Sequence, residues 1–179
     1  NEMWRYRVSD STWTWMAGEH NHSYYGIYGE KESPSTNNLP GVRESPTGWF
    51  DSTTQELWLF GGYGFSEDEE GALYWCHRRP IHKSLIVLLI GYLNDLWRYR
   101  LSDSTWTWMG GSKSPWESGQ YGEKGQPSPT NIPGGRYGAL GLFDSSRREF
   151  WLFGGYGFGS ESSGAVKNKI IITPYPSTK

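Results

Sequence analysis

The sequence is poor in the features that mark disulfide-stabilised, nucleic-acid-binding and membrane-spanning proteins. One cysteine among 179 residues excludes a disulfide framework within the chain. The 17 lysines and arginines nearly cancel the 19 aspartates and glutamates, and a net charge of −2 gives no electrostatic basis for binding nucleic acid or an anionic membrane. The apolar run at residues 85–90 is far shorter than the roughly 18 to 20 residues that span a bilayer. We therefore expect neither nucleic-acid nor membrane partners.

Histidine and cysteine are also too few and too poorly spaced for a familiar metal site. Cys76 lies close to His77 and His82 in the sequence, and His20 lies close to His22. Neither group has the spacing of a recognised zinc site, so four ligands would have to converge from distant loops. We therefore expect no bound metal and no cofactor.

What the chain does contain is an internal repeat. Residues 4–65 recur as residues 97–158 at a constant offset of 93 (97 − 4), without a gap. Both repeats carry the segments WRYR, SDSTWTWM, YGEK, FDS and WLFGGYGF in the same order. A period of this length has to be interpreted as a repeat architecture before any residue is assigned to a site.

The repeated segments predict short strands separated by turns. The aromatic and aliphatic runs at residues 57–60 and 150–153 are typical of strands buried on both faces. We expect Gly61-Gly62 and Gly154-Gly155 to end these strands, because glycine allows positive φ and a close backbone approach. A further strand, rich in small residues, is predicted at residues 135–143.

Two more strands are predicted from alternating aromatic residues. Residues 96–101 place Trp97 and Tyr99 on one face and two arginines on the other. After a turn, Trp106 and Trp108 share one face of the following strand. The equivalent aromatic residues of the first repeat are Trp4, Tyr6, Trp13 and Trp15.

A strand closed by Gly-Gly, a strand with a central Trp-x-Tyr and a strand with a terminal Trp closely resemble the kelch repeat of β-propellers. In the second repeat the matching residues are Arg136 and the segments 153–155, 94–99 and 104–108. In the first repeat they are Arg43 and the segments 60–62, 1–6 and 11–15. One departure is Pro46, which stands where the second repeat has Ala139, since proline in a strand is tolerated only at an edge or at the start. The resemblance implies an all-β fold of four-stranded antiparallel blades.

This resemblance divides the chain into one complete blade flanked by two half-blades. The complete blade covers residues 43–109 and is interrupted by an insert at residues 66–93. Residues 1–42 supply the third and fourth strands of the preceding blade and a long loop. Residues 110–158 supply a loop and the first two strands of the next blade. A closed propeller needs about four blades, so we expect this chain to be a fragment whose other blades belong to a parent protein.

The half-blades each lack a neighbour on one side. Repeat units bury their faces against adjacent units, so a terminal unit without a neighbour stays exposed. We therefore expect the isolated chain to self-associate through aromatic residues of its outer faces. These residues are Trp4, Tyr6, Trp13, Trp15, Trp151 and Phe153.

The repeat pattern breaks at equivalent positions, after Gly71 and after Gly164. Removing residues 72–91 would restore an ordinary short connection in the first repeat. One hypothesis is that this segment is translated intron sequence. On this hypothesis the tail at residues 159–179 contains a second case of the same event, which starts after Gly164 and covers residues 165–179. The alternative is a genuine inserted loop that carries function.

We place the candidate binding residues in two long loops, at residues 18–41 and 111–134. Both loops keep the same residues near their ends but diverge in the middle. This pattern suits a binding loop on a rigid scaffold, although a loop that only covers a blade edge fits it as well. The candidate binding residues are His20, His22, Tyr24, Tyr25, Trp116 and Tyr121.

The residues themselves give no support for catalysis. Copper enzymes similar to galactose oxidase share the kelch propeller. For such an enzyme the resemblance implies a copper centre with a tyrosine cross-linked to a cysteine. The one cysteine of this chain, Cys76, lies outside both repeats. We predict a non-catalytic protein–protein interaction scaffold whose partners dock on the face built by the inter-blade loops. Two alternatives stay open. One is a carbohydrate-binding propeller with exposed Trp or Tyr beside carboxylates, and the other is the propeller domain of a larger oxidase.

Overall fold

The computed structural model describes residues 2–18, 25–67 and 90–160. Within these three ranges the chain forms eleven β-strands and no helix, which confirms the predicted all-β class. The same ranges therefore contain no helix that could cross a membrane.

The strands pair in antiparallel fashion and form four separate sheets. In chain order they are β1 (Glu2–Arg7), β2 (Thr12–Gly18), β3 (Arg43–Glu44), β4 (Thr47–Asp51), β5 (Glu56–Phe65), β6 (Ile90–Arg100), β7 (Thr105–Gly110), β8 (Arg136–Tyr137), β9 (Leu140–Asp144), β10 (Glu149–Phe153) and β11 (Tyr156–Gly157). The central sheet has the order β3-β5-β6-β7, and β4 also pairs with β5. The other sheets are the pairs β1–β2, β9–β10 and β8–β11.

The central sheet contains the four strand segments that the repeat predicts, side by side and in chain order. Its first segment is broken, since β3 and β4 pair separately with β5 and are divided by Ser45 and Pro46. Ser45 has a positive φ of 47°, and Pro46 has no backbone N–H to donate to the ladder. The strand predicted at residues 135–143 is broken at the equivalent place into β8 and β9, with Gly138 at a φ of 65°. Both breaks lie in edge strands, where a proline is tolerated.

Strand β5 corrects one prediction about the glycine pairs. It continues through Gly61-Gly62 to Phe65 instead of ending at the glycines, and its register against β6 shifts there. The two glycines have positive φ values of 62° and 103°, so they form a bulge that a residue with a Cβ would strain. In the second repeat the prediction is confirmed, because β10 ends at Phe153, directly before Gly154-Gly155.

Strand β6 begins earlier than the sequence predicted. We predicted this strand at residues 96–101, with the kelch-like segment starting at Asn94, but Ile90 already pairs with β5. The last four positions of the segment assigned to the insert, residues 66–93, thus belong to the sheet. Residues 68–89 lie outside the described ranges, as does nearly all of the tail at residues 159–179.

The β1–β2 and β9–β10 sheets pack on opposite faces of the central sheet. On one face, the Tyr99 hydroxyl of β6 donates to the backbone carbonyl of Met16 on β2 at 3.4 Å. On the other face, Phe150 of β10 packs on Trp58 of β5, with ring centroids 4.9 Å apart. Tyr99 pairs with Leu57, the neighbour of Trp58, and successive side chains of a strand point to opposite faces. Three layers of sheet therefore follow one another in chain order.

Aromatic side chains form the core of the central layer and are exposed in the outer layers. Trp97 is 0% exposed, whereas its equivalent Trp4 is 50% exposed. Phe60 is 6% exposed and its equivalent Phe153 is 77% exposed. The prediction that residues 150–153 are buried on both faces is therefore wrong, because no described strand covers the outer face of β10. The predicted exposure is confirmed for the other outer aromatic residues, Tyr6, Trp13, Trp15 and Trp151.

Candidate functional site

A buried carboxylate, Asp95 on β6, connects the central sheet to the loop before it. The Arg43 guanidinium donates two hydrogen bonds to this carboxylate, from Nη1 at 2.6 Å and from Nη2 at 2.8 Å. The Tyr28 hydroxyl donates to it at 2.5 Å, and the Trp97 indole Nε1 donates at 2.7 Å. One carboxylate therefore joins the loop at residues 25–42 to strands β3 and β6.

Burial and charge fix the protonation states of this unit. Burial, and then the negative charge of Asp95, raise the pKa of Tyr28 well above its usual value. Burial alone would lower the pKa of Arg43, but the adjacent Asp95 carboxylate outweighs this effect and the pKa lies above its usual value. Near neutral pH the phenol stays neutral and the guanidinium stays charged. Tyr28 and Arg43 therefore position the loop through hydrogen bonds.

Sequence reasoning missed Asp95 and the unit built around it. The available signal was that Tyr28 and Arg43 recur as Tyr121 and Arg136 at the repeat offset. In the second repeat, Arg136 donates to three backbone carbonyl oxygens, and no carboxylate lies within salt-bridge distance of it in the described part of the chain. Tyr121 is 54% exposed, whereas Tyr28 is fully buried. The second repeat thus holds half of the same unit.

The loop that carries Tyr28 is held against the central sheet. The Asn38 amide donates to the backbone carbonyl of Trp106 on β7 at 3.2 Å. Tyr25, one of the candidate binding residues, packs edge-on against Phe65 at the end of β5, with centroids 5.4 Å apart. This part of the loop is therefore a rigid cover for the sheet. The candidate residues His20, His22 and Tyr24 lie outside the described residues.

Trp116, another candidate, belongs to a group of six aromatic rings. We name this group the tyrosine cluster, and its members are Tyr63, Tyr92, Trp116, Tyr137, Tyr156 and Phe158. Tyr92 is at its centre and stacks on Tyr137, with centroids 5.7 Å apart and ring planes 9° apart. Trp116 meets Tyr92 edge-on at 5.0 Å. Residues from three strands and one long loop thus converge on one side chain.

The position of Trp116 is fixed by strand β6. The Trp116 backbone N–H donates to the carbonyl oxygen of Tyr92 at 2.9 Å. The indole lies over Gly91, where a Cβ would overlap the ring. Trp116 is nevertheless 40% exposed, so its ring is both held in place and accessible. Tyr121, the last of the candidate binding residues, makes no ring contact with this cluster among the aromatic pairs of the described residues.

The tyrosine cluster offers planar apolar surface together with phenol hydroxyl groups. Burial, and then the neighbouring tyrosines, raise the pKa of Tyr92, so its phenol stays protonated near neutral pH. Exposed carboxylates lie beside the cluster, because Glu44 pairs with Tyr63 and Glu117 follows Trp116. Such a surface can bind a planar or apolar group and fix its orientation with hydrogen bonds.

The described residues contain no group of three or more His, Cys, Asp or Glu side chains that could hold a metal ion. No family model, curated protein or solved structure matched this chain. Function therefore follows only from the geometry and chemistry of the site.

Proposed function

We propose that this chain is part of a kelch-type β-propeller and acts as a non-catalytic scaffold that binds a protein partner at the tyrosine cluster. The observation that carries the binding role is the accessible Trp116 indole on a rigid base of tyrosine rings. Tyrosine, tryptophan and arginine are the residues enriched at the energetic centres of protein interfaces. Aromatic anchors that are already held in position lose little conformational entropy on binding.

Three observations support the propeller arrangement. The strands of the central sheet follow one another in chain order, as the strands of a propeller blade do. Successive sheets pack face to face, with Phe150 of one sheet on Trp58 of the next. The glycine pairs at residues 61–62 and 154–155 have positive φ in both repeats. On this proposal the central sheet is the complete blade, the β1–β2 sheet is one half-blade, and the β9–β10 and β8–β11 sheets together form the other.

Carbohydrate is the second candidate ligand at the same cluster. Sugars bind through aromatic rings that cover their C–H faces and through acids that accept hydrogen bonds from their hydroxyls. Glu44 and Glu117 lie beside Tyr63 and Trp116 and could supply those acceptors. Glu44 and Glu117 are both exposed, so a ligand at the cluster can reach their carboxylates.

A peptide library displayed on phage and a glycan array, both probed with the same purified chain, test the proposed function. We expect selected peptides to be rich in aromatic or apolar residues and to lose binding at least about tenfold to Trp116→Ala, the loss of a central aromatic anchor. Trp13→Ala removes an equally large exposed side chain from β2, remote from the cluster, and serves as the matched control.

The two ligand classes give different outcomes. Specific binding to glycans, lost in Trp116→Ala but retained in Trp13→Ala, would replace the protein-binding role with carbohydrate binding. Peptides that bind wild-type protein and Trp116→Ala equally well would contradict a binding role for the cluster.

A further inference from the structure

The two outer sheets of this chain are complementary halves of its own central sheet. By the repeat offset, β1 and β2 correspond to β6 and β7, and β9 and β10 correspond to β4 and β5. In the described residues β1 pairs only with β2, and β10 pairs only with β9. The edge that β1 leaves open corresponds to the edge of β6 that pairs with β5. The open edge of β10 corresponds to the edge of β5 that pairs with β6.

We propose that a second copy of this chain completes the split sheet, by pairing its β1 with β10 of the first copy in a head-to-tail arrangement. The register is given by the central sheet, where Leu57 pairs with Tyr99 and Trp58 pairs with Arg98. The offset converts these pairs into Phe150 with Tyr6 and Trp151 with Arg5 of the second copy. This inference depends on the strand registers and not on the proposed partner binding.

The open edges of β1 and β10 do not pair with each other within this chain. The β1–β2 sheet packs on the face of the central sheet that carries Tyr99, and β10 packs on the face that carries Trp58. The two open edges therefore lie on opposite sides of the central sheet and cannot meet within one chain. An open edge with exposed apolar side chains is a template for pairing with another chain.

The charges at the two open edges match. In the central sheet, Glu56 of β5 forms two ion pairs through its Oε1, with Arg98 Nη1 at 3.6 Å and with Arg100 Nε at 3.7 Å. The equivalent of Glu56 is Glu149 on β10. The equivalents of the two arginines are Arg5 and Arg7 on β1. Pairing in the proposed register would thus place two arginines of one copy beside Glu149 of the other.

Arg136 and Glu2 give a second case in which the two open edges are complementary. Glu2 stands at the repeat equivalent of Asp95, and it already accepts a hydrogen bond from the Trp4 indole Nε1 at 3.0 Å, as Asp95 does from Trp97. Arg136 and Tyr121 repeat the other half of that unit. Glu2 of the second copy would therefore provide the carboxylate that Arg136 lacks in the described chain.

An apolar cleft beside the open edge of β1 gives a third match. It has a volume of about 560 Å³ and is lined by residues that include Met3, Pro46, Phe50, Leu57 and Leu59. These residues lie on β1, β4, β5 and the break between β3 and β4. The cleft is thus the space beside β1 that a β9–β10 sheet would fill.

The outer face of β9–β10 has the side chains to fill this cleft. In the template, Phe150 packs on Trp58, and the offset converts this contact into Leu57 of one copy packed on Trp151 of the other. Leu140, Leu142, Trp151 and Phe153 are all large, apolar and exposed. Head-to-tail pairing would bury them against the cleft of the next copy, which removes an apolar surface of the kind that marks an interaction site.

The interface is heterologous, so it repeats from molecule to molecule until it closes a ring or grows into a filament. Each chain contributes one whole sheet and two halves, which make one further sheet. If the sheets are propeller blades, rings of about two to four chains would contain the four to eight blades of known propellers.

Disulfide trapping tests the register. In a Cys76→Ser background, chains with Arg5→Cys are mixed with chains carrying Trp151→Cys and oxidised with glutathione disulfide. Directly opposed residues in antiparallel strands lie within disulfide range. We expect heterodimers of these two variants to form at least about tenfold faster than with Phe153→Cys, since a two-residue displacement exceeds the Cα separation a disulfide can bridge. All three positions are exposed, so folding should not depend on them.

Sedimentation of the chain without added cysteines provides the second measurement. We expect assemblies larger than the 20.4 kDa monomer at micromolar concentration, with dissociation constants raised about tenfold or more by Glu149→Arg. Glu123→Arg makes the same charge change in an exposed loop and should leave the dissociation constants unchanged. Homodimers of Arg5→Cys alone, equal trapping at Trp151 and Phe153, or a monomer at all concentrations would each overturn the proposal.

Discussion

Arg43 and Asp95 form a two-hydrogen-bond ion pair, at 2.6 and 2.8 Å, in which both side chains are almost completely buried. Removing charges from water is costly, and a buried pair recovers that cost only when its remaining polar atoms are satisfied. Here Tyr28 and Trp97 donate to the same carboxylate, and Arg43 also donates to the backbone carbonyls of Gly41 and Gly61. The pair thus depends on all its neighbours.

Replacing Arg43 should therefore be severely destabilising. Arg43→Met leaves the Asp95 carboxylate buried without a counter-charge, and removing one partner of a buried pair costs about 3 to 5 kcal/mol. Arg136→Met is the matched control, because Arg136 donates only to backbone carbonyls in the described chain and should cost less than half as much. Urea unfolding in dilute solution measures both. Equal losses would show that the carboxylate is not the reason for the effect.

The raised pKa of Tyr28 makes the free energy of unfolding depend on pH in alkaline solution. Its pKa in the folded state lies well above the value near 10 of an unfolded tyrosine, because of burial and then Asp95. The resulting stability is fully present below pH 10 and is lost as the pH rises towards the folded-state pKa, since only the unfolded state then releases the proton. Tyr28→Phe should be less stable at pH 8, and its deficit should shrink between pH 10 and 11. A stability difference between wild type and Tyr28→Phe that stays constant from pH 8 to pH 11 would contradict a raised pKa of Tyr28.

Two equivalent glycines should respond differently to the same substitution. A Cβ on Gly141 would lie 2.5 Å from Thr47 Cγ2 and 2.6 Å from Trp49 Nε1, so Gly141→Ala should push β9 away from β4. Overpacking of this kind costs about 1 to 3 kcal/mol. A Cβ on Gly48 would meet only the Trp58 carbonyl oxygen at 3.6 Å, so Gly48→Ala should be tolerated by the single chain. Thermal unfolding of dilute protein compares the two, and similar losses would argue against the close packing of the two sheets.

The strands could be predicted from the sequence because each one is a local pattern. The alternation at Trp97 and Tyr99 and the run at residues 57–60 depend only on neighbouring residues. The start of β6 was misplaced because Ile90 lies within a segment that has no counterpart in the other repeat, so no pattern marked it. The bulge at Gly61-Gly62 was taken for a strand end, because the same glycine pair permits either outcome.

The site could not be predicted in the same way, because its contacts join residues distant in the chain. Trp116 was a candidate from its loop, but the Tyr92 ring that it contacts also stacks on Tyr137, and these two tyrosines come from different sheets that meet only when the sheets pack. Asp95 was taken as part of a strand motif, and its partners Arg43 and Tyr28 lie 52 and 67 residues away. The repetition of Arg43 and Tyr28 at the offset was the one sign that they act together.

Sheets from successive repeats pack face to face in chain order. Phe150 reports on this packing, because its ring lies 5.3 Å from Trp49 and 4.9 Å from Trp58, both across the boundary between two sheets. Nuclear Overhauser effects measured on protein labelled selectively at phenylalanine and tryptophan should connect the Phe150 ring with both indole rings. These signals should be absent from the Phe150→Leu variant, which assigns them to Phe150. A folded protein in which Phe150 shows no contact with either tryptophan would contradict face-to-face packing of these two sheets.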